Sequence, residues 1–236
     1  MKWLRNWFVG IALLMALAAT QTTASLRSET PLVLVGHTGG PSLAVTVQDD
    51  LAWLALGHAL AVIDISAPRH PRRVGAAILP AYDLALQGRF AYVVSRDSLR
   101  VVDIADPQHP RAVGQLPVSH TALGIAVQGD RAYVANERGG LLVVDISDPR
   151  APRQMGAIPT GAAWDVALSG DYVLVAGSYS GLAVVDVADP AHPQKIAHLD
   201  SYTRTLAVAV AGDRAVVAAD SQGLRILDIA NPSRPV

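Results

Sequence analysis

Val143-Val144-Asp145-Ile146-Ser147-Asp148-Pro149, followed by Pro152, decides the fold. Its core recurs as Val62-Ile63-Asp64-Ile65, Val101-Val102-Asp103-Ile104, Val184-Val185-Asp186-Val187 and Ile226-Leu227-Asp228-Ile229. The aspartates are 39, 42, 41 and 42 residues apart. Each copy leads into a proline turn: Ala67-Pro68, Asp106-Pro107, Asp148-Pro149, Asp189-Pro190 and Asn231-Pro232. A second proline follows three residues later, at Pro71, Pro110, Pro152, Pro193 and Pro235. Upstream sits a second shared stretch, as in Gly88-Arg89-Phe90-Ala91-Tyr92-Val93 and Gly129-Asp130-Arg131-Ala132-Tyr133-Val134. A fixed period near 40 residues is the mark of a repeat architecture.

Each unit reads as four short strands. Strand one is apolar and small, as in Ile125-Ala126-Val127. A Gly-Asp or Gly-Arg pair supplies the tight hairpin turn to strand two. A loop ending in glycine leads to strand three, and the Asp-Pro turn leads to strand four. Prolines and β-branched runs at this spacing leave no room for a helix of useful length. Four antiparallel strands per repeat make a β-propeller blade, so the fold expected is all-β, a β-propeller of five four-stranded blades. Pro31-Leu32-Val33-Leu34-Val35-Gly36 matches the strand-four stretch Pro71-Arg72-Arg73-Val74-Gly75 but has no strands one to three before it. The fifth unit stops at Pro235-Val236, where its strand four begins. The N-terminal strand is therefore expected to complete the last blade, which removes an open sheet edge. The other possibility is a fragment of a larger propeller.

The chain resembles the LVIVD-repeat family. The residues that carry the likeness are the Val-Val-Asp-Ile-x-Asp-Pro signature and the upstream Gly-x-x-Ala-Tyr-Val-Ala stretch, over about residues 31 to 236. Ala67 in place of the turn aspartate and Ala197 in place of the strand-four glycine are minor departures. The resemblance implies an exported bacterial or archaeal propeller-like protein, and it is silent about a ligand.

Composition narrows the function classes. The chain has 236 residues, 51% hydrophobic and 17% charged, with a formal net charge of -1. That balance excludes a disordered chain. It also lacks the basic stripe of a nucleic-acid surface. There is no cysteine, which excludes disulfides, thiolate metal sites and thiol catalysis. Lys2 and Arg5 precede an apolar run from Trp7 to Ala19, and Thr22-Thr23-Ala24 offers small residues before Ser25. This is the pattern of a secretory signal peptide over 1–24, with a single propeller domain over 25–236. The run is short for a membrane span, which needs about 20 apolar residues. An extracytoplasmic location with no membrane span after cleavage is expected.

The recurring aspartates tempt a catalytic reading, but one per blade holds them far apart. An aspartate before a turn more simply accepts backbone N–H bonds. His70, His109 and His192 likewise spread around the rim, and His37 with His198 offers two ligands without a third. The turns between strands one and two and between three and four share one face and repeat with little change. The remaining loops share the other face and differ from unit to unit, so that face is the candidate binding face. Its candidate ligand-binding residues are Tyr82, Asp83, His120, Trp164, Asp165, Tyr202 and Arg204. Asp83 and Asp165 share a column at the start of strand one with Ala44, Gly124 and Ala207. Strand one lines a propeller channel, so both carboxylates are expected at its mouth. Paired carboxylates beside aromatic rings suit a sugar or a cation, or acid–base hydrolysis.

No catalytic residue is assigned. Gly177-Ser178-Tyr179-Ser180-Gly181 lacks the context of a nucleophile elbow, and no phosphate-loop or EF-hand spacing occurs. No cofactor is expected, and calcium, though open, has no motif behind it. The reading preferred is a non-enzymatic binding or interaction propeller with a protein or glycan partner at the loop-rich face and no nucleic acid. A carbohydrate-active hydrolase or lyase is the alternative, and a structural module of an envelope assembly the third.

Overall fold

The structure, a computed structural model, describes residues 42–200 and 204–236. It is a five-bladed, all-β propeller. Blade one comprises β1 (Ala44–Gln48), β2 (Leu51–Ala55), β3 (Leu60–Asp64) and β4 (Arg72–Ala77). Blade two comprises β5 (Asp83–Gln87), β6 (Phe90–Val94), β7 (Ser98–Asp103) and β8 (Arg111–Pro117). Blade three comprises β9 (Gly124–Gln128), β10 (Arg131–Asn136), β11 (Gly140–Asp145) and β12 (Arg153–Ile158). Blade four comprises β13 (Asp165–Ser169), β14 (Tyr172–Ala176), β15 (Leu182–Asp186) and β16 (Gln194–Leu199). Blade five has β17 (Ala207–Ala211), β18 (Arg214–Ala218) and β19 (Leu224–Asp228). Every sheet runs in sequence order with antiparallel neighbours. The only helical piece among the described residues is a 3-10 turn at Asp220–Gln222.

The hairpin between strands one and two turns on a residue at positive φ. Gly88, Gly129, Gly170 and Gly212 take it at 57–59°, and Asp49 stands there in blade one at 54°. Glycine at the first turn position suits the right-handed twist of the flanking strands.

Side chains from strands two and three of one blade meet those of the next. Four apolar clusters result, one each for the interfaces one–two, two–three, three–four and four–five. Val62, Leu99, Val101, Leu141 and Val143 are wholly buried there. Burying such a side chain contributes roughly 1.5–3 kcal/mol, so the interfaces carry the stability of the ring.

The outer strand adds a close backbone approach. A bulge falls in β4, β8, β12 and β16, opposite the Val62/Ile63, Val101/Val102, Val143/Val144 and Val184/Val185 steps. Three of these bulges hold a glycine. A Cβ on Gly75 would fall 2.0 Å from the Pro107 carbonyl oxygen, one on Gly114 2.1 Å from that of Pro149, and one on Gly156 2.4 Å from that of Pro190. Each outer strand thus presses its glycine against the proline turn of the following blade. The repeated Gly and Asp-Pro positions are two halves of one contact.

Blade five differs from the rest. Val236 exchanges two backbone hydrogen bonds with Asp228 (2.7 and 3.1 Å), and the sheet itself has three strands among the described residues. Leu224 and Ile226 of β19 are 56% and 62% exposed, whereas Leu60 and Val62, their counterparts in blade one, are fully buried. The expected fourth strand, Pro31 to Gly36, lies outside the described residues, as do the signal-peptide stretch and His37.

Candidate functional site

Each of the repeated aspartates caps its turn. Oδ1 of Asp64, Asp103, Asp145, Asp186 and Asp228 accepts the backbone N–H two residues on, at 2.9–3.0 Å. Asp106, Asp148 and Asp189 do the same for the following turn. Asp64 and Asp145 also pair with Arg72 and Arg153 from strand four, at 3.3 and 2.8 Å, and Asp103 pairs with Arg89. His109 and His192 bond Asp106 and Asp189 of their own turns at 2.8 and 2.9 Å. Hydrogen bonds from Ser147, then the Arg153 guanidinium, hold Asp145 down to about 2. Asp64 and Asp103 are lowered mainly by hydrogen bonds from Ser66 and Arg89. The repeated aspartates of this face are structural, and the described residues hold no group of three or more potential metal ligands.

The opposite face carries features the repeat does not contain. Asp83 and Asp165 begin β5 and β13, and each reaches the next blade. Asp83 Oδ2 accepts the N–H of Ile125 at 2.9 Å, and Asp165 Oδ2 accepts that of Val208 at 2.9 Å. Asp165 Oδ1 also accepts from Val166 N–H at 2.8 Å. Gly124 lies between them: a Cβ there would fall 2.9 Å from Asp165 Cα and 3.0 Å from its Oδ1. In the channel column Ala44, Asp83, Gly124, Asp165, Ala207, the glycine between the two acids has no space for a side chain.

Both residues are half-buried, with most of the space around their carboxylates taken up by protein. Burial pushes Asp83 up to about 7, and the charge of Asp165 adds to the shift against the N–H bonds it receives. Burial pushes Asp165 up to about 6, opposed by the N–H bonds of Val208 and Val166. Like charges in one low-dielectric site resist ionising together.

The loops of this face are stitched together. Gly57 and Ala81 exchange backbone bonds at 2.8 and 3.4 Å. Ala122 N–H donates to Ser95 O at 3.1 Å, Ala163 N–H to Glu137 O at 2.8 Å, and Ser178 and Thr205 exchange two bonds at 2.9 Å. Each clip ties the loop after strand two of one blade to the loop before strand one of the next. Glu137 and Ser178 adopt positive φ (27° and 52°) at their clips, a conformation that non-glycine residues rarely take. Ala81, Ala122 and Ala163 are fully buried and Thr205 nearly so. No residue pattern announced these clips, because their bonds are made by backbone atoms.

The other candidates divide. The Arg204 guanidinium lies 4.6 Å from the centroid of the Trp164 ring, beside Asp165. His120 is exposed and its Cδ2 lies over the Gly139 backbone of blade three. Tyr82 is half-buried next to Asp83. Tyr202 lies outside the described residues. The structure therefore joins Asp83 to Asp165 and Trp164 to Arg204, and sets His120 apart on its own loop.

A propeller of 40-residue blades with an aspartate-capped turn in each is the class the geometry defines. The chain belongs to the LVIVD repeat family, whose repeat model matches residues 39–77, 80–116, 121–160, 160–200 and 204–236. No curated protein matches it. Among solved structures it is similar to the computationally designed Ika8 protein (TM-score 0.62, 13% identity, 83% of this chain and 60% of that one). It is also similar to a functionally unknown protein from Desulfotomaculum acetoxidans DSM 771 (0.68, 12%, 81% and 66%). The designed Ika4 protein matches at 0.52 and 12%, over 62% of this chain and 89% of that one. The chain thus spans about 60% and 66% of the first two structures it matches. At these identities the likeness is one of fold.

Proposed function

We propose that this protein is an exported, non-enzymatic propeller that binds a protein or glycan partner through its loop-bearing face, at the cell envelope or outside the cell. The contrast between the two faces carries the reading. The aspartates repeated in every blade cap turns, while Asp83, Asp165, Trp164 and Arg204 are not shared by every blade and stand at the end of the strands away from those turns. Side chains that vary between blades on a loop-bearing face are the ones available for recognition. Tyr82 and His120 stand on the same loop-bearing face. Export rests on the Lys2 to Ala24 pattern, and no helix among the described residues is long and apolar enough to cross a membrane.

A ligand that binds only the folded state raises the melting temperature by mass action. A screen of glycans, envelope extracts and calcium by thermal unfolding is expected to give a shift that Trp164→Ala and Arg204→Ala abolish. A shift that survives both substitutions moves the site off this face. Two carboxyls pushed toward neutrality also support a second reading, a carbohydrate hydrolase or lyase with one acid and one base. Turnover of a glycan that disappears in Asp83→Asn/Asp165→Asn, with folding intact, would establish it. Absence of turnover on every glycan that shifts the melting point would sink it.

A further inference from the structure

A cavity of about 270 Å³ opens between blades one and two on the turn-bearing face. Leu51, Trp53 and Ile104 form its apolar lining, and Gln48, Asp49 and Arg89 stand around them. The other interfaces show why it exists. The first residue of strand two is Leu51 in blade one, but Phe90, Arg131 and Tyr172 in blades two, three and four. Phe90 and Tyr172 pack against their interface clusters, and the smaller Leu51 packs against its own. Arg131 Nη1 donates across the interface to Val187 O at 3.3 Å. The residue before the turn repeats the contrast. Gln87 Nε2 donates to Gly129 O of the next blade at 2.7 Å, and Gln48, its counterpart in blade one, makes no such bond. Leu51 is smaller than Phe90 or Tyr172 and Gln48 forms no bridge, so this interface is less filled than the others.

The surrounding groups limit what fits. Trp53 is 2% exposed, and no described group accepts a bond from its indole N–H. Arg89 spends Nε and Nη2 on Asp103, which leaves Nη1 as a donor. Asp49 is exposed and has no ion-pair partner among the described residues. One cationic donor, one free carboxylate and an apolar floor stand around a space just below the range of about 300–1,000 Å³ usual for small-molecule pockets. We propose that this cavity between blades one and two is a binding site for a small zwitterion with an apolar body, the chemistry of a free apolar α-amino acid. Its carboxylate meets Arg89, its ammonium meets Asp49, and its side chain covers Leu51, Trp53 and Ile104. The site is independent of the face proposed above, because it lies at the opposite end of the strands.

Tryptophan occurs at positions 3, 7, 53 and 164. A full chain carrying Trp3→Phe, Trp7→Phe and Trp164→Phe reports on Trp53 alone. Titration of that chain with L-leucine, L-isoleucine and L-phenylalanine is expected to change Trp53 emission saturably, with calorimetry giving the same constant. N-acetyl-L-leucine amide, which has neither charge, is expected to bind at least tenfold more weakly. Leu51→Phe installs the blade-two residue, fills the space and should abolish binding with cooperative melting kept. Arg89→Met, a change at a largely exposed side chain, should weaken binding at least fivefold, and it decides the matter if Leu51→Phe does not fold. No response to any of the three amino acids up to about 10 mM, equal affinity for the neutral amide, or undiminished binding by either variant would overturn the proposal.

Discussion

Aspartate does two different jobs at the two ends of this propeller. At the turn-bearing end, Asp145 accepts Ser147 N–H and pairs with Arg153 in contact with solvent. At the channel mouth, Asp83 and Asp165 also accept backbone N–H bonds, but from the neighbouring blade. The local bonding is alike and the electrostatics are opposite. A carboxylate at the rim with several donors and a guanidinium is stabilised as an ion, whereas two half-buried carboxyls without a cation beside them are held toward the neutral form. The turn aspartates hold each blade to itself. The channel aspartates hold blade two to three and blade four to five, at an electrostatic cost that grows as they ionise.

The contrast can be broken in several places. The largest effect belongs to the turn end. Gly114→Ala drives a methyl group into the Pro149 carbonyl, and should destabilise by about 3 kcal/mol or more, read by chemical denaturation. Unchanged stability would mean that the blades are not in contact there.

Next comes the channel pair. The folded values of Asp83 and Asp165 lie above the ordinary 3.8. Their contribution is therefore fully present below about pH 4 and is lost as pH rises through about 6 to 7. The turn aspartates run the other way: their contribution is present above the ordinary value and is lost as pH falls toward about 2, the folded value of Asp145. Together the two sets place maximal stability near pH 4, where the turn aspartates are ionised and the channel pair is still protonated. Asp83→Asn keeps an oxygen for Ile125 N–H and removes the charge. It should stabilise on the order of 1–2 kcal/mol at pH 7.5 and have little effect at pH 4. A loss of stability at both pH values would refute the electrostatic account.

Asp145→Ala should cost about 1 kcal/mol near neutral pH by leaving Ser147 N–H without its acceptor. Thermal melts at pH 7 and pH 3 test it, with a smaller difference expected at the lower pH. The smallest effect belongs to Arg204→Ala, which removes the stack on Trp164. It should cost about 0.5–1 kcal/mol, as for an exposed cation–π pair.

Much of the architecture can be read in the chain because each repeat is a complete local instruction. The glycine turn, the β-branched strand and the aspartate-capped proline turn act within a few residues, and five copies in register fix the blade. Asp83 and Asp165 also stand out in sequence, since they interrupt a column of small residues. Their job does not. A carboxylate that bonds a backbone N–H about 42 residues away leaves no mark on the identity of the residue it bonds. The clips at Gly57–Ala81 and Ser178–Thr205 are invisible for the same reason. The cavity beside Trp53 depends on Leu51 being short and Gln48 being unbonded, and each substitution is unremarkable alone.

The sequence by itself determined the repeat, the four-stranded blade, the family and which aspartates cap turns, because those are set by contacts close in the chain. Only the tertiary structure decided that Gly114 must stay bare against Pro149, that two carboxyls share the channel mouth, and that one interface is left open beside Trp53. Those follow from how one blade's surface meets the next, where distance in space and exclusion of water, rather than spacing in sequence, set the energy.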